Sequence, residues 1–233
     1  MKNQLAVLDP NNPEQCFPSV NNALSVPDGL LAVGGCLSKS RLLNAYRHGI
    51  FPWNSADEPI LWWSPNPRLV LFPEKLVISR SLAKTLRKQV FKVTFDQAFA
   101  KVIRACAMPR KDEAGTWITS GILSAYQELY DAGIAHSVEA WHDGELVGGL
   151  YGVAIGQVFF GESMFHTQSD ASKVAFAALV GWLNRWGYKM IDCQVSTGHL
   201  ISLGAEEIAR NHFTALLENY CDQLPEPGAW RVL

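Results

Sequence analysis

Apolar and polar positions divide the chain into an irregular first part and a regular second part. Residues 1 to about 60 are rich in Pro, Asn and Gly, and they predict one short helix that Ser38 caps and Gly49 ends. The stretch 51–67 combines prolines with three tryptophans, so it cannot form a helix interior. Because tryptophans are costly to leave in water, we expect this stretch to pack against a second domain.

From about Leu69 the periodicity becomes regular. It predicts strands at 68–72, 91–94, 135–141, 146–154, 157–164 and 189–195. It predicts helices at 79–88, 95–107, 119–131, 171–186 (capped by Asp170), near 200, and at 210–220. The order from residue 91 is strand, two helices, three strands, helix, strand, helix. This is the order of the acetyltransferase-like (GNAT) fold, an α+β fold with a mixed sheet flanked by helices.

Composition indicates a folded cytoplasmic protein. A hydrophobic content of 48% and a charged content of 18% exclude a disordered chain. The first residues are polar, so no signal peptide is expected, and no apolar stretch is long enough to span a membrane. The five cysteines are scattered, without metal or redox spacing, which favours a reduced cytoplasmic protein.

Charge is unevenly distributed. Residues 80–111 contain nine Lys or Arg and one acid, a net charge of +8, although the whole chain carries −2. Such a run forms either a solvated surface or a contact with an anionic partner, and the charge pattern by itself leaves both open.

Few residues offer a catalytic pattern. Asp192 and Gln194 alternate within an apolar strand, so they share a face, either as a buried hydrogen-bonded pair or as a polar pair facing a pocket. Glu162 and Met164 alternate in the preceding strand. Glycines 148, 149 and 152 favour a bulged strand, or one that admits another group, over a dinucleotide loop. Trp53 and Trp117 are flanked by turn residues and are either core aromatics or stacking platforms for bases.

Six sequence blocks resemble the leucyl/phenylalanyl-tRNA–protein transferase family, bacterial enzymes of the N-degron pathway. The blocks occur in order along most of the chain, which makes the match specific. They are Gly29 to Gly35, Gly49 to Trp53, Ile60 to Pro65, Gly115 to Thr119, Gly161 to Phe165, and Ile191 to Val195.

The resemblance implies a small N-terminal domain, residues 1–65, and a GNAT-like aminoacyl-transferase domain, residues 66–233. It implies a monomeric enzyme without cofactor or metal. Its donors would be leucyl-tRNA and phenylalanyl-tRNA, with methionyl-tRNA less favoured, and its acceptors would be proteins with N-terminal Arg or Lys, thereby marked for proteolysis. It also implies residue roles: Asp192 and Gln194 at the reacting amine; Trp53 and Trp117 at the terminal adenosine; Leu150, Glu162, Met164, Leu179, Leu183 and Ile191 around the aminoacyl side chain; and Arg80, Lys84, Arg87 and Lys88 against tRNA.

Three positions depart from the family pattern. Leu150 replaces a methionine, and Leu179 and Leu183 replace phenylalanines. All remain apolar, so an apolar pocket should persist while the preference between leucine and phenylalanine stays open. We expect side chains branched at Cβ, such as isoleucine, to fit poorly.

The resemblance suggests a mechanism without ATP, since an ester becomes an amide. In this hypothesis Gln194 accepts a hydrogen bond from the acceptor amine. Asp192 orients the Gln194 amide and favours a cationic acceptor residue.

Three alternatives compete with this interpretation. An acyl-coenzyme A N-acetyltransferase is disfavoured because residues 166–172 lack the glycines of a pyrophosphate turn and place Asp170 at the helix start. A cell-wall bridge aminoacyl-transferase would normally be a longer chain. A non-catalytic tRNA-binding module would not need Asp192 and Gln194 beside a pocket.

Overall fold

The computed structural model describes residues 5–55, 57–109 and 116–231. Arg110 and Lys111, which end the basic run, and Gly115, which begins the fourth of the six sequence blocks, lie outside the described residues. The strands are β1 Ala6–Leu8, β2 Leu30–Gly34, β3 Phe51–Pro52, β4 Leu61–Trp63, β5 Arg68–Leu71, β6 Lys92–Phe95, β7 Ala135–His142, β8 Glu145–Ile155, β9 Val158–His166, β10 Met190–Gln194 and β11 Glu206–Ile208. The helices are α1 Lys39–Arg47, α2 Arg80–Lys88, α3 Phe99–Cys106, α4 Ser120–Asp131, α5 Ala171–Arg185, α6 Gly198–Ser202 and α7 Arg210–Tyr220.

The strands form two sheets. The smaller has the order β1-β2-β4-β3, and the larger has the order β11-β5-β10-β9-β8-β7-β6. In the larger sheet β9 and β10 are parallel, whereas the other neighbouring strands are antiparallel. This mixed sheet, with helices against it, confirms the predicted α+β class and the acetyltransferase-like order of elements.

Helices cover both faces of the larger sheet. Neighbouring residues Leu150 and Tyr151 of β8 point to opposite faces, and each belongs to a different apolar cluster. The Tyr151 face packs against α3 and α4, and the Leu150 face against α5, on which α2 lies. The Tyr151 cluster also includes Leu31 and Trp62 of the smaller sheet. The division into domains at residues 65 and 66 therefore stays a prediction, because one apolar core joins side chains from both sides of it.

The pattern misassigned several local features. Phe95 ends β6 instead of beginning a helix, because Asp96 adopts a left-handed φ of 55° and α3 starts only at Phe99. Strands β1 to β4 and β11 were not predicted, because runs of two to five residues carry little periodicity. Asp170 precedes α5, but its side chain makes no cap hydrogen bond; the carboxylate accepts from Thr85 and Lys173.

Two glycines of β8 admit other groups closely, as predicted. A Cβ atom at Gly148 would lie 2.6 Å from the Cβ of Ala171, at the start of α5. A Cβ atom at Gly152 would lie 2.3 Å from the carbonyl oxygen of Phe160. A side chain at Gly148 would push α5 away from the sheet, and one at Gly152 would push β9 away from β8.

The long helix α5 packs across the sheet. The helix has 15 residues, and its Leu179 and Leu183 side chains are completely buried. Within the three described segments of the chain, no helix combines the length and apolar character required to cross a membrane.

Candidate active site

A cavity of about 570 Å³ opens where β9 and β10 separate. The two strands pair from Val158 opposite Met190 to Phe160 opposite Asp192, and then the pairing stops. Residues just beyond that point line the cavity, among them Glu162 and Met164 from β9 and Gln194 from β10. The cavity therefore exists because parallel strands part, so that side chains of both strands face the gap.

Asp192 is paired with a buried arginine. The Arg68 Nε atom donates to Asp192 Oδ1 at 2.8 Å, and Nη2 donates to Oδ2 at 2.6 Å. Both side chains are almost fully buried, with 1% and 0% exposure. A forked, charge-assisted pair of this kind fixes the carboxylate in one orientation.

Gln194 occupies a strained backbone position at the end of β10. The ladder with β5 shifts register between Asp192 and Gln194, which forms a bulge, and Gln194 adopts a φ of 64°. Asp192 Oδ1 accepts a hydrogen bond from the Gln194 backbone N–H at 2.9 Å. Because of the bulge, Cys193 also lines the cavity, contrary to the simple alternation that the sequence predicts.

The Gln194 side chain is held by Glu162, which corrects the proposed role of Asp192. Gln194 Nε2 donates to Glu162 Oε1 at 3.1 Å, so the amide group bonds to Glu162, while Asp192 bonds to Gln194 only at its backbone N–H. Tyr46 donates to Glu162 Oε1 at 2.6 Å and Tyr126 to Oε2 at 3.0 Å. Glu162 itself sits at a bulge, since the register of β8 against β9 shifts beside it. The amide thereby has its N–H side fixed and its oxygen left for another partner.

Burial raises the pKa of Glu162 to about 7. Hydrogen bonds from Tyr46 and Tyr126 oppose this shift, and the nearby charge of Asp192 adds to it. Burial likewise raises the pKa of the Tyr46 and Tyr126 hydroxyls well above the ordinary tyrosine value. Both tyrosines therefore remain neutral donors to Glu162 at neutral pH.

Apolar side chains form much of the remaining wall. Four of the residues predicted for the aminoacyl pocket line the cavity with Glu162: Leu150, Met164, Leu179 and Ile191. Leu183 does not line it, which contradicts that prediction. It lies one turn beyond Leu179 on α5 and is fully buried in the apolar core.

Both predicted adenosine contacts border the cavity. Trp53 and Trp117 contribute to its lining, and Trp53 is 49% exposed. The Trp63 indole nitrogen donates to the Trp53 carbonyl oxygen at 2.7 Å, which fixes the backbone of this segment. The two tryptophans lie at positions 53 and 117, and only the fold brings them to one cavity.

The basic side chains of α2 are displayed away from the core. Arg80, Lys84, Arg87 and Lys88 are all exposed, while Leu82 buries the opposite side of the helix. None of the four lines the cavity. They form a separate positive surface, to which we refer as the α2 surface.

Sequence reasoning missed three side chains that build the site. Arg68 was assigned only to a strand, and Tyr46 and Tyr126 only to helices. A charged residue beginning the apolar run 68–72 was a usable signal, because a buried arginine needs a buried acid such as Asp192. No comparable signal marked the tyrosines, which are ordinary residues on the buried faces of α1 and α4.

The sequence matches two family profiles and close relatives. The profile described as leucyl/phenylalanyl-tRNA protein transferase matches residues 70–218, and that of its N-terminal domain matches residues 35–66. A leucyl/phenylalanyl-tRNA–protein transferase from Methylococcus capsulatus is 59% identical over 227 residues, 97% of both chains. A protein of the same name from Aromatoleum aromaticum is 60% identical over 92% of this chain and 90% of its own length.

Solved structures resemble this chain more distantly. A GCN5-related N-acetyltransferase from Kribbella flavida is 12% identical, with a TM-score of 0.40, over 72% of this chain and 60% of its own. A similarity of this size carries no functional conclusion.

Proposed function

Since the chain belongs to the leucyl/phenylalanyl-tRNA–protein transferase family, it is an aminoacyltransferase, and we propose its substrates and site in detail. It transfers leucine or phenylalanine, and methionine more slowly, from tRNA to the α-amine of proteins beginning with Arg or Lys. The products are thereby marked for N-degron proteolysis. One observation supports this most: the Gln194 amide is held beside an apolar cavity with its oxygen unclaimed by any donor among the described residues.

The reaction needs a positioned amine more than a strong base. An α-amine has a reference pKa of about 7.7–8.0, so a useful fraction is neutral at pH 7. The amine nitrogen forms a bond to the ester carbonyl carbon, and the bond from that carbon to the ribose oxygen breaks. A proton passes from the nitrogen to the ribose oxygen, which leaves as a hydroxyl group. Gln194 Oε1 accepts a hydrogen bond from the amine and thereby aims the lone pair of the amine nitrogen at the ester carbonyl carbon. This contact makes Gln194 the catalytic residue.

Asp192 takes a different role from the one that the sequence suggested. Its carboxylate is committed to Arg68 and to the Gln194 backbone, so we assign it as a positioning residue that does not contact substrate. The neutralising guanidinium also weakens the idea that Asp192 attracts a cationic acceptor.

The apolar wall accepts the transferred side chain, and the tryptophans accept the adenosine. Leu150, Met164, Leu179 and Ile191 give a surface suited to a long aliphatic or aromatic group. The rings of Trp53 and Trp117 would stack on the terminal base, a contact worth about 1–3 kcal/mol per base. In this arrangement the ester carbonyl lies between the apolar wall and the two tryptophans, near Gln194.

The α2 surface contacts the tRNA backbone, which makes affinity dependent on salt. Replacing Arg80, Lys84 and Lys88 together by Glu should weaken tRNA binding and lower the slope of log affinity against log salt by about 3, one for each lost phosphate contact. The control variant replaces the exposed Lys39, Arg185 and Lys189 by Glu, an equal change of charge elsewhere. Filter binding at several salt concentrations measures the affinity and the slope for both variants. Identical slopes in the two variants would rule out the α2 surface as the contact with tRNA.

Protonation of Glu162 should lower the rate. The carboxylate can accept from Tyr46, Tyr126 and Gln194 together, but below its pKa of about 7 it carries a proton and loosens its hold on the amide. As the pH falls, the wild-type rate should therefore decrease with two ionisations, that of the acceptor amine near its pKa of about 7.7–8.0 and that of Glu162 near its pKa of about 7. The rate of the Glu162→Gln variant should show only the ionisation of the acceptor amine. Single-turnover rates from pH 5.5 to 8.5 compare the variants, and profiles of the same shape would contradict this role.

Transfer to defined peptides tests the function itself. Radiolabelled leucyl-tRNA is offered to peptides that differ only in an N-terminal Arg, Lys or Ala. We expect label on the first two alone. Isoleucyl-tRNA serves as the control donor, and it should react poorly because its Cβ branch meets the cavity wall. Equal labelling of the Ala peptide would refute the acceptor assignment, and equal use of isoleucine would refute the pocket.

A further inference from the structure

We propose that Arg68 is a positioning residue of this active site, acting through Asp192 on Gln194. The inference rests on the proposed function, because it concerns the geometry of the amide that meets the acceptor amine. Arg68 lies on β5 and does not line the cavity, so it acts at one remove from the substrate.

The Arg68 guanidinium is enclosed by three hydrogen bonds and two aromatic rings. It forks onto Asp192, donates from Nη1 to the Gly49 carbonyl oxygen at 3.2 Å, and lies against two aromatic rings. Its central carbon is 4.6 Å from the centre of the Phe51 ring and 4.7 Å from that of Phe213. Arginine suits this site because its flat, forked group can stack and bond at once, which lysine cannot do.

This enclosure explains how the strained end of β10 is kept. A non-glycine residue in the left-handed region persists only where neighbouring contacts hold it. For Gln194 that contact is the hydrogen bond from its backbone N–H to Asp192 Oδ1, and Arg68 fixes the position of that oxygen. A shift of the guanidinium would therefore move the Gln194 amide.

Arg68 also ties the amide to the adenosine side of the cavity. Its bond to Gly49 and its contact with Phe51 belong to the segment that leads directly to Trp53. The same guanidinium thus sets the positions of Gln194 and Trp53 relative to each other. The distance between Gln194 and Trp53 has to match the distance between two groups of the substrate, the ester carbonyl and the terminal base.

A conservative substitution separates position from charge. Arg68→Lys keeps the positive charge but loses the fork, so we expect kcat to fall about 100-fold, a larger change than that in the KM for leucyl-tRNA. The matched control is Arg47→Lys, which alters an exposed ion pair with Asp222 and should leave kcat unchanged. Leucyl transfer to an Arg-initiated peptide gives kcat and KM, and thermal unfolding establishes that each variant is folded.

A double variant tests whether the Asp192 charge itself is needed. Arg68→Met leaves the carboxylate buried and unpaired, whereas Arg68→Met with Asp192→Asn removes both charges and keeps an oxygen for the Gln194 N–H. We expect the double variant to transfer at least about tenfold faster than Arg68→Met alone, because neutral replacement of a buried pair is tolerated. This variant carries the test if Arg68→Lys fails to fold.

The outcomes are distinct. A wild-type rate for Arg68→Lys, or a folded double variant no faster than Arg68→Met, would overturn the positioning role and leave the proposed function intact. A wild-type enzyme that transfers nothing would overturn the proposed function first, and the inference with it.

Discussion

Gln194→Met should lower the rate of leucine transfer by about 100- to 1000-fold, the usual cost of removing one aimed hydrogen-bonding group from a reacting centre. Methionine has nearly the length of glutamine and fills the same volume, but it cannot accept from the acceptor amine. The affinity for leucyl-tRNA should stay the same, because in our assignment Gln194 contacts the amine and not the nucleic acid. Single-turnover transfer and filter binding measure the two quantities.

The control for this prediction is Gln127→Met, the same chemical change on α4, where the amide donates to Asp131. It should leave both quantities unchanged. If Gln194→Met instead loses tRNA binding and transfer in equal proportion, Gln194 serves the structure of the pocket and not the reaction.

Asp192→Ala should lower the free energy of unfolding by about 3–5 kcal/mol, because it leaves the Arg68 charge buried without its partner. The pair is almost entirely screened from water, with 1% and 0% exposure of the two side chains. Urea denaturation followed by tryptophan fluorescence measures this loss. Transfer should fall as well, since the Gln194 backbone loses its acceptor.

An ion pair on the surface provides the comparison. Asp222→Ala makes the same substitution in the pair with Arg47, where the two side chains are 76% and 44% exposed. Surface pairs contribute about 0–1 kcal/mol, so this variant should unfold almost like the wild type. If the free energy of unfolding falls as little for Asp192→Ala as for Asp222→Ala, the buried pair does not have the stabilising role that we assign to it.

Together the two substitutions separate catalysis from architecture. Gln194→Met should change the rate far more than the stability, because it removes one hydrogen bond to Glu162, and Asp192→Ala should change both strongly. The sequence pattern treats the two residues as one polar pair and cannot make this distinction.

The sequence by itself determined the family, the class of fold and most of the regular elements. Long segments such as α5 and β8 were predicted almost to their ends, because each is a long, mostly apolar run bounded by turn or capping residues. The run of Lys and Arg that includes α2 was predicted as a solvated surface or a contact with an anionic partner, and in the structure its four basic side chains are exposed while Leu82 is buried.

Only the tertiary structure decided which groups hold the amide. Alternation along a strand predicts which face a side chain takes, but a bulge adds one residue and turns the later side chains of that strand to new directions. Both Glu162 and Gln194 sit at such bulges, and the bulges give Gln194 a partner from β9 in place of Asp192. The partners of Asp192 and Glu162 come from 124 and 116 residues away, Arg68 and Tyr46. Such pairings depend on how sheets and helices pack, which local periodicity does not encode.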